Sequence, residues 1–411
     1  MIWTKFAVAA VVAALISLAR FAGPVWAASI DPLVKGNSAF ALELYTRLAK
    51  GEKGNFFFSP ASIHTALAMA YAGARGATAD EMSRVLHFGL DQKDLHPTFA
   101  SLINTLNSPP LGFDQKPVYQ LCVANALWGQ KGFPFEAAFV DLVKKSYGAG
   151  LHDTDFVKPE EARKTINDWV AEQTRDKIQD LIPAGLLQAS MRLVLTNAVY
   201  FKAAWAETFD KSATQDRPFT TGAGQKVQIP MMRQERHFNY SETDDVQILE
   251  LPYIRNALAM SIFLPKTKDG LGQFEAKLAS QPLSDWLGKL GNVKVDVSLP
   301  RFKFTSSFGL GDTLQAMGIK AAFSSDLADF SGMTTAEKLF IAAVVHKAFV
   351  AVDEEGTEAA AATAVAMDGG AMPRPEEPKV FLADHPFIFL IRHLETGEVL
   401  FVGRVVNPKA E

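Results

Sequence analysis

Near residue 190 the spacing of apolar side chains changes from the period of a helix to that of a strand, and this change limits the folds open to the 411-residue chain. Before it, NSAFALELYTRLAK sets Phe40, Leu44 and Leu48 on one helical face, with Asn37 or Ser38 in the capping position. SPASIHTALAMAYAGA opens with Ser59 as a cap and Pro60 in the first turn, where its missing N–H is no loss. TADEMSRVLHF offers Thr78 and, three residues on, Glu81, the spacing of a capping box. Helices are also predicted over 94–106, 136–147 and 159–174. From 192 the segments MRLVLTNAVYFKA, KVQIPMMRQERHFNY, VQILELPY, LAMSIFLP, VKVDVSLPRFKF, KLFIAAVVHKAFVAVDE, HPFIFLIRH and VLFVGRVVN read as strands. Helices recur over 271–280 and 308–317. Helices first and strands afterwards, without regular βαβ alternation, predict an α+β fold with mostly antiparallel or mixed sheets. No repeat and no linker divides the chain, so one domain is expected.

Hydrophobic residues make up 48% of the chain and charged ones 21%, enough apolar surface to exclude disorder and fill a large core. The net charge of −4 carries no nucleic-acid or heparin footprint, and the adjacent pair Lys144-Lys145 reads as a solvated helix face. At the N-terminus Lys5 precedes an apolar run from Phe6 to Leu18, followed by Arg20, Gly23-Pro24 and the small-residue site Val25-Trp26-Ala27. This is the pattern of a secretory signal over 1–27, cleaved after Ala27, leaving a domain over 28–411. Its removal takes away Lys5 and Arg20 and no acidic residue, bringing −4 to −6. The expected location is secreted or extracellular, or periplasmic in a Gram-negative source, with no membrane contact after removal of the signal.

Cys122 is the only cysteine, so no internal disulfide is expected, and its strand-like surroundings predict a buried, inert thiol. Asn239-Tyr240-Ser241 fits the glycosylation pattern. The eight histidines show no metal-binding spacing, and there is no G-x-S-x-G elbow and no phosphate loop. GLGDT at 309–313 lacks a third glycine. The chain is therefore read as a non-enzyme without metal or cofactor.

The segment EEGTEAAAATAVAMDGG, from 354 to 370, is rich in alanine, yet it lies between a strand and a proline-rich stretch that cannot continue a helix. Taken as a strand, one parity holds Thr357, Ala359, Ala361, Thr363, Val365 and Met367, all small or apolar and fit for burial. The other holds Glu358, Ala360, Ala362, Ala364, Ala366 and Asp368, with its charges at the ends, and is fit for solvent. Gly356 supplies a pivot. Proline is absent from 354 to 372, so every N–H is free to join a ladder. The segment is written so that it can become a central strand; the alternative is an exposed helical loop.

Ordered blocks across 37–408 resemble the serpin family. NFFFSPASIHTALAMAYAGARGATADEM is similar to its second-helix block, LTNAVYFKAAWAETFD to its central strand and Trp-bearing turn, and LPRFKF, AVVHKAFVAVDEEGTEAAAATA and DHPFIFLIRHLETGEVLFVGRVVNP to later blocks. The resemblance implies three β-sheets with about nine helices and an exposed reactive-centre loop over about 354–380. It implies a suicide-substrate inhibitor of serine or sometimes cysteine proteases, whose cleaved loop inserts into the large sheet. Matching positions give a hinge of Glu354, Gly356, Thr357, Ala359, Ala360, Ala361 and Ala362. They give a polar cluster where the sheet opens (Ser59, Ser62, Asn197, His346) and a region where the loop first enters (Trp205, Arg301), with an Arg301–Glu354 ion pair. Counting from Glu354 sets the cleaved bond at Gly370-Ala371, suited to an elastase-like or subtilisin-like enzyme with a small first pocket. Arg374 and Met372 are each followed by proline, which hampers cleavage. The stretch from Ala371 to Pro386 is several residues longer than in typical members. The alternatives are a cysteine-protease target and a non-inhibitory, binding or chaperone-like serpin. A monomer is expected.

Overall fold

The computed structural model describes residues 29–148, 150–358 and 377–410. In chain order the first half contains α1 (Asp31–Gly51), β1 (Phe56–Phe58), α2 (Pro60–Tyr71), α3 (Gly76–Val85), α4 (Gln92–Leu106), β2 (Tyr119–Gln130), α5 (Ala137–Tyr147), β3 (Leu151–Thr154) and α6 (Pro159–Gln173). The second half begins with β4 (Leu193–Ala204), β5 (Gln215–Thr220), β6 (Lys226–Glu242), β7 (Val246–Pro252), β8 (Leu258–Pro265), α7 (Leu271–Leu278) and α8 (Leu283–Leu287). It continues with β9 (Gly291–Pro300), β10 (Phe302–Gly309), α9 (Gly311–Met317), β11 (Ala343–Val352), β12 (Gly356–Thr357), β13 (Lys379–Leu382), β14 (Phe387–His393) and β15 (Val399–Val405). The change of period near 190 is therefore a real boundary, although α7, α8 and α9 lie beyond it and β1, β2 and β3 before it.

Six strands form one sheet in the order β10-β11-β12-β4-β2-β3. The others follow one path, β1-β15-β14-β8-β7-β6-β9-β13, with β5 added to β6. The long β6 turns that path: its end pairs with β7 over Asn239–Glu242, its middle with β9 over Met231–Tyr240, and its start with β5 over Lys226–Met231. Counted at that turn the fold has three sheets, and with nine α-helices among the described residues it is α+β.

β4 is buried along nearly its whole length because both its faces are covered. One face packs with Phe57, Phe389 and Phe401 between the sheets, the other with Trp128, Ile166 and Val170 beneath α6. This explains why its sequence reads as continuously apolar instead of alternating. The edge strand β10 has one covered face and alternates buried and exposed residues throughout.

Three helix starts differ from expectation. α1 begins at Asp31, so Asn37 lies inside it, buried, with its Nδ2 donating to the Val399 carbonyl at 2.9 Å. α3 begins at Gly76 without a side-chain cap. Thr78 instead accepts a hydrogen bond from the Asp329 N–H at 2.9 Å, and Glu81 accepts from the Lys320 and Ala321 N–H groups, each at 2.7 Å. Residues of a capping pattern satisfy any backbone donor in reach, and here the donors are tertiary. Residues 308 and 309 belong to β10, so the last helix spans only Gly311–Met317. Ser59 does cap α2, accepting from the Ser62 N–H at 3.2 Å.

Candidate functional site

The parallel strands β4 and β11 are neighbours over only part of their length. From Ala343 to Phe349, β11 pairs directly with Val194 to Tyr200 of β4. Beyond that point β12 lies between them, Gly356 opposite Ala204 and Thr357 opposite both Ala203 and Val352. The sheet thus has a seam, closed at one end and held apart at the other by two residues of the hinge.

The wedge is fixed from several sides. Thr357 is 1% exposed, and its hydroxyl shares a 2.7 Å hydrogen bond with the Tyr253 phenol. Tyr253 stacks on Trp205 with ring centroids 4.5 Å apart, and the Trp205 indole donates to the Asp353 carbonyl at 2.9 Å. Asp353 accepts from the N–H groups of Glu355 and Gly356, which folds the turn between β11 and β12. Gly356 is required here. Its φ is 152°, and a Cβ would sit 2.2 Å from the Ala203 carbonyl oxygen.

Glu354 is buried and its Oε1 takes hydrogen bonds from Arg301, through Nε at 2.7 Å and through Nη2, and from Thr214 at 2.5 Å. Burial by itself raises its pKa, but the Arg301 and Thr214 hydrogen bonds outweigh this and hold the carboxyl below its ordinary value. The expected Arg301–Glu354 pair is present. Two further ion pairs flank the hinge, Lys211 with Glu355 at 2.5 Å and Lys177 with Glu358. Glu358 therefore does not point freely to solvent as its parity implies. The chain leaves the extended conformation there, with φ 47°, and the alternation of faces stops with it.

Below the wedge, the four polar residues expected at the opening point do meet. The His346 Nδ1–H donates to Asn197 Oδ1, and its Nε2 accepts from the Ser59 N–H at 3.2 Å. Burial pushes the His346 pKa down to about 3, so the ring is neutral, as these two roles demand. Ser59 Oγ donates to the Leu400 carbonyl at 2.7 Å. Asn197 Nδ2 donates to Ser62 Oγ at 2.5 Å, and Ser62 Oγ donates to Asn125 Oδ1 at 2.9 Å. Sequence reasoning missed Asn125, which also donates to the Ser62 carbonyl at 3.1 Å. Its signal was a polar residue inside the apolar strand VANALWG. Tyr253, Thr214 and Lys177 were missed as well, and nothing local marked them.

Cys122 lies on β2 and is half-buried instead of fully buried; burial raises its thiol pKa, which disfavours the reactive thiolate. The hinge alanines Ala359, Ala360, Ala361 and Ala362, the bond Gly370-Ala371 and the leader 1–27 lie outside the described residues. Among the described residues no group of three or more His, Cys, Asp or Glu is placed to hold a metal, and no helix is long and apolar enough to cross a membrane.

A model of the family described as Serpin (serine protease inhibitor) matches residues 35–408. An uncharacterized serpin-like protein of Thermococcus kodakarensis is 45% identical over 92% of this chain and 86% of its own length. The leukocyte elastase inhibitor of Homo sapiens is 41% identical over 92% of this chain and 100% of its own. Among solved structures, Serpin48 of the insect Tenebrio molitor superposes with a TM-score of 0.80 at 35% identity, covering 91% of this chain and 98% of its own.

Proposed function

The chain belongs to the serpin family of serine protease inhibitors, and on that premise we propose that it inhibits by loop insertion, as a suicide substrate of a serine protease with a small first pocket. The observation that carries the reading is β12. Two hinge residues already occupy the position of a strand between β4 and β11, and the seam ahead of them is lined to receive the rest.

The register supports it residue by residue. Six residues on from Thr357 is Thr363; six back from Ala203 is Asn197, and six back from Val352 is His346. These are the two residues that face each other across the closed seam. A loop continuing in the same register brings the hydroxyl of Thr363 between the two side chains whose hydrogen bond it must split, so the polar groups stay partnered. In that register Ala359 and Ala361 pass Phe201 and Val199, which face the apolar core, where small uncharged side chains are cheapest to admit.

The steps follow. A protease attacks the loop at Gly370-Ala371, where the absence of a side chain suits an elastase-like or subtilisin-like pocket, as the name of the elastase-inhibitor relative also suggests. The segment behind the cut enters the seam at the acyl-enzyme stage. Thr357 to Gly370 is fourteen residues, and at ~3.3 Å each this carries the bound protease roughly 46 Å, enough to ruin the geometry of its catalytic groups. Export through the segment 1–27, and a monomeric inhibitor, belong to the same reading.

The test mixes the full chain with a panel of elastase-like, subtilisin-like, trypsin-like and cysteine proteases. The expected result is an SDS-resistant complex with the first two and a cut after Gly370 by mass spectrometry. Nicking at that bond raises the thermal midpoint sharply, since an inserted strand adds a ladder and buried surface. An unchanged or lower midpoint after nicking, with the loop consumed as plain substrate, overturns insertion in favour of a non-inhibitory binding protein.

A further inference from the structure

At the closed end of the seam, where β2 ends and β4 begins, lies an open pocket of ≈ 240 Å³. Lys131 and Arg192 line it, with Phe133, the exposed Val157 and one acid, Glu337. Neither cation pairs with a carboxylate among the described residues. Arg192 Nη1 donates only to the Ala189 and Met191 carbonyls, at 3.3 and 3.1 Å. Two cations against one acid leave the pocket positive, and a positive pocket suits a negative occupant.

The register set by β12 leads to the same place. Thr357 stands opposite Ala203, and the Glu358 N–H already donates to the Ala351 carbonyl at 2.9 Å. Continued along β4, Glu358 comes opposite Lys202, and Asp368, ten residues on, comes opposite Arg192, ten residues back. The ladder of β4 extends that far on its other side, since the Gln130 N–H donates to the Arg192 carbonyl at 3.0 Å. Lys202 and Arg192 share the parity of Val194 and Ala198, which pack beneath α6. The two acids of the loop's outward parity thus meet the two cations on that face of β4. The cation of β11 on the same face, Lys347, is already engaged by the Gln179 and Asp180 carbonyls, at 2.6 and 3.4 Å. A slip of two residues would break both matches at once.

We propose that this pocket is the seat of Asp368 in the inserted loop, with Arg192 as its counter-ion and Lys131 as a second cation beside it. The proposal rests on the insertion reading above. In this register Gly369 and Gly370 come opposite Met191 and Ser190, where β4 has not yet begun. Glycine there lets the chain turn away from the ladder toward the acyl bond. The pair forms only once the loop is fully home. It therefore adds nothing to the resting state and favours the last step of insertion, seating the far end of the new strand.

The experiment uses the full chain, intact and nicked after Gly370, with the cut confirmed by mass spectrometry. In a Cys122→Ser background, Arg192→Cys is combined with Asp368→Cys. Directly opposite strand residues are close enough for a disulfide, so oxidation should close one in most of the nicked chain and in less than about a tenth of the intact chain. Arg192→Cys with Ala364→Cys, four residues out of register, should close none. A charge cycle tests the pair itself. Thermal midpoints are read in a fixed concentration of urea, which does not screen charge as guanidinium does. Asp368→Arg should narrow the gap between nicked and intact midpoints by about 1–2 °C, and adding Arg192→Asp should restore it. A disulfide that forms equally in the intact chain, one that prefers Ala364→Cys, or a charge cycle that is merely additive overturns the seat. If nicking raises the midpoint and the 192–368 disulfide does not form, insertion stands and the seat alone falls. If nicking leaves the midpoint unchanged, the insertion reading fails and the seat falls with it.

Discussion

Replacing Thr357 with arginine tests both the wedge and the insertion that follows it. Thr357 is buried and bonded to the Tyr253 hydroxyl, itself buried. Losing that bond and leaving the phenol unsatisfied costs about 1–3 kcal/mol. Placing a guanidinium there costs about 3 kcal/mol more even after relaxation, because the hinge carboxylates Glu354 and Glu358 are already engaged by Arg301 and Lys177. A total of at least about 4 kcal/mol slows insertion about a thousandfold or more. The hinge of the variant leaves the sheet at rest, so amides of 353–358 exchange faster, and the loop is still cut at the same bond. The acyl-enzyme then hydrolyses before the protease is carried away. The assay is the number of moles of inhibitor consumed per mole of protease silenced, with the cut position read by mass spectrometry. Thr357→Val is the control: it keeps the volume, loses only the hydrogen bond, and raises the ratio far less than Thr357→Arg does. Glu358→Arg is no control, because it also breaks the pair with Lys177. An unchanged ratio in Thr357→Arg refutes the reasoning.

Gly356→Ala places a methyl group against the Ala203 carbonyl in a backbone conformation alanine resists. It should detach β12 and lower stability by more than about 1 kcal/mol, seen as faster exchange of the Thr357 and Glu358 amides and a lower denaturation midpoint. His346 has a folded pKa of about 3, below its unfolded 6.5, so the unfolded chain takes up the proton first as pH falls. Its contribution to stability is full above pH 6.5 and is lost between 6.5 and 3, by up to about 1.4 kcal/mol per pH unit. His64 and His96, each held at about 4, act in the same direction. His346→Gln should therefore flatten the midpoint-versus-pH curve below 6.5 without abolishing its slope. Glu398 is buried with Oε2 unpartnered, and burial raises its pKa well above the carboxylate range. Stability tied to it is present at low pH and lost as pH rises, so Glu398→Gln should stabilise the chain by about 1 kcal/mol or more at pH 8 and by less at pH 4.

The amino-acid sequence by itself determined the fold class, the position of most elements and the character of the hinge. These depend on local quantities: the period of apolar residues, the φ freedom of Gly356, the small size of one parity of the loop. It also marked Ser59, Ser62, Asn197, His346, Arg301 and Glu354, through motif blocks carried by a family resemblance. Tertiary structure alone decided how those residues are satisfied. Thr78 and Glu81 have the spacing of a capping box, yet bind backbone donors more than 200 positions away, at Asp329, Lys320 and Ala321, because a hydrogen bond has no memory of sequence distance. Asn37 resembles a cap and is a buried strut to Val399. Glu358 belongs to the solvent parity and is held by Lys177, since parity governs a residue only while the chain stays extended. The seam itself could not be read from any segment. It exists because β4 and β11, more than a hundred residues apart, lie parallel, and because two residues of the hinge hold one end of that pair open.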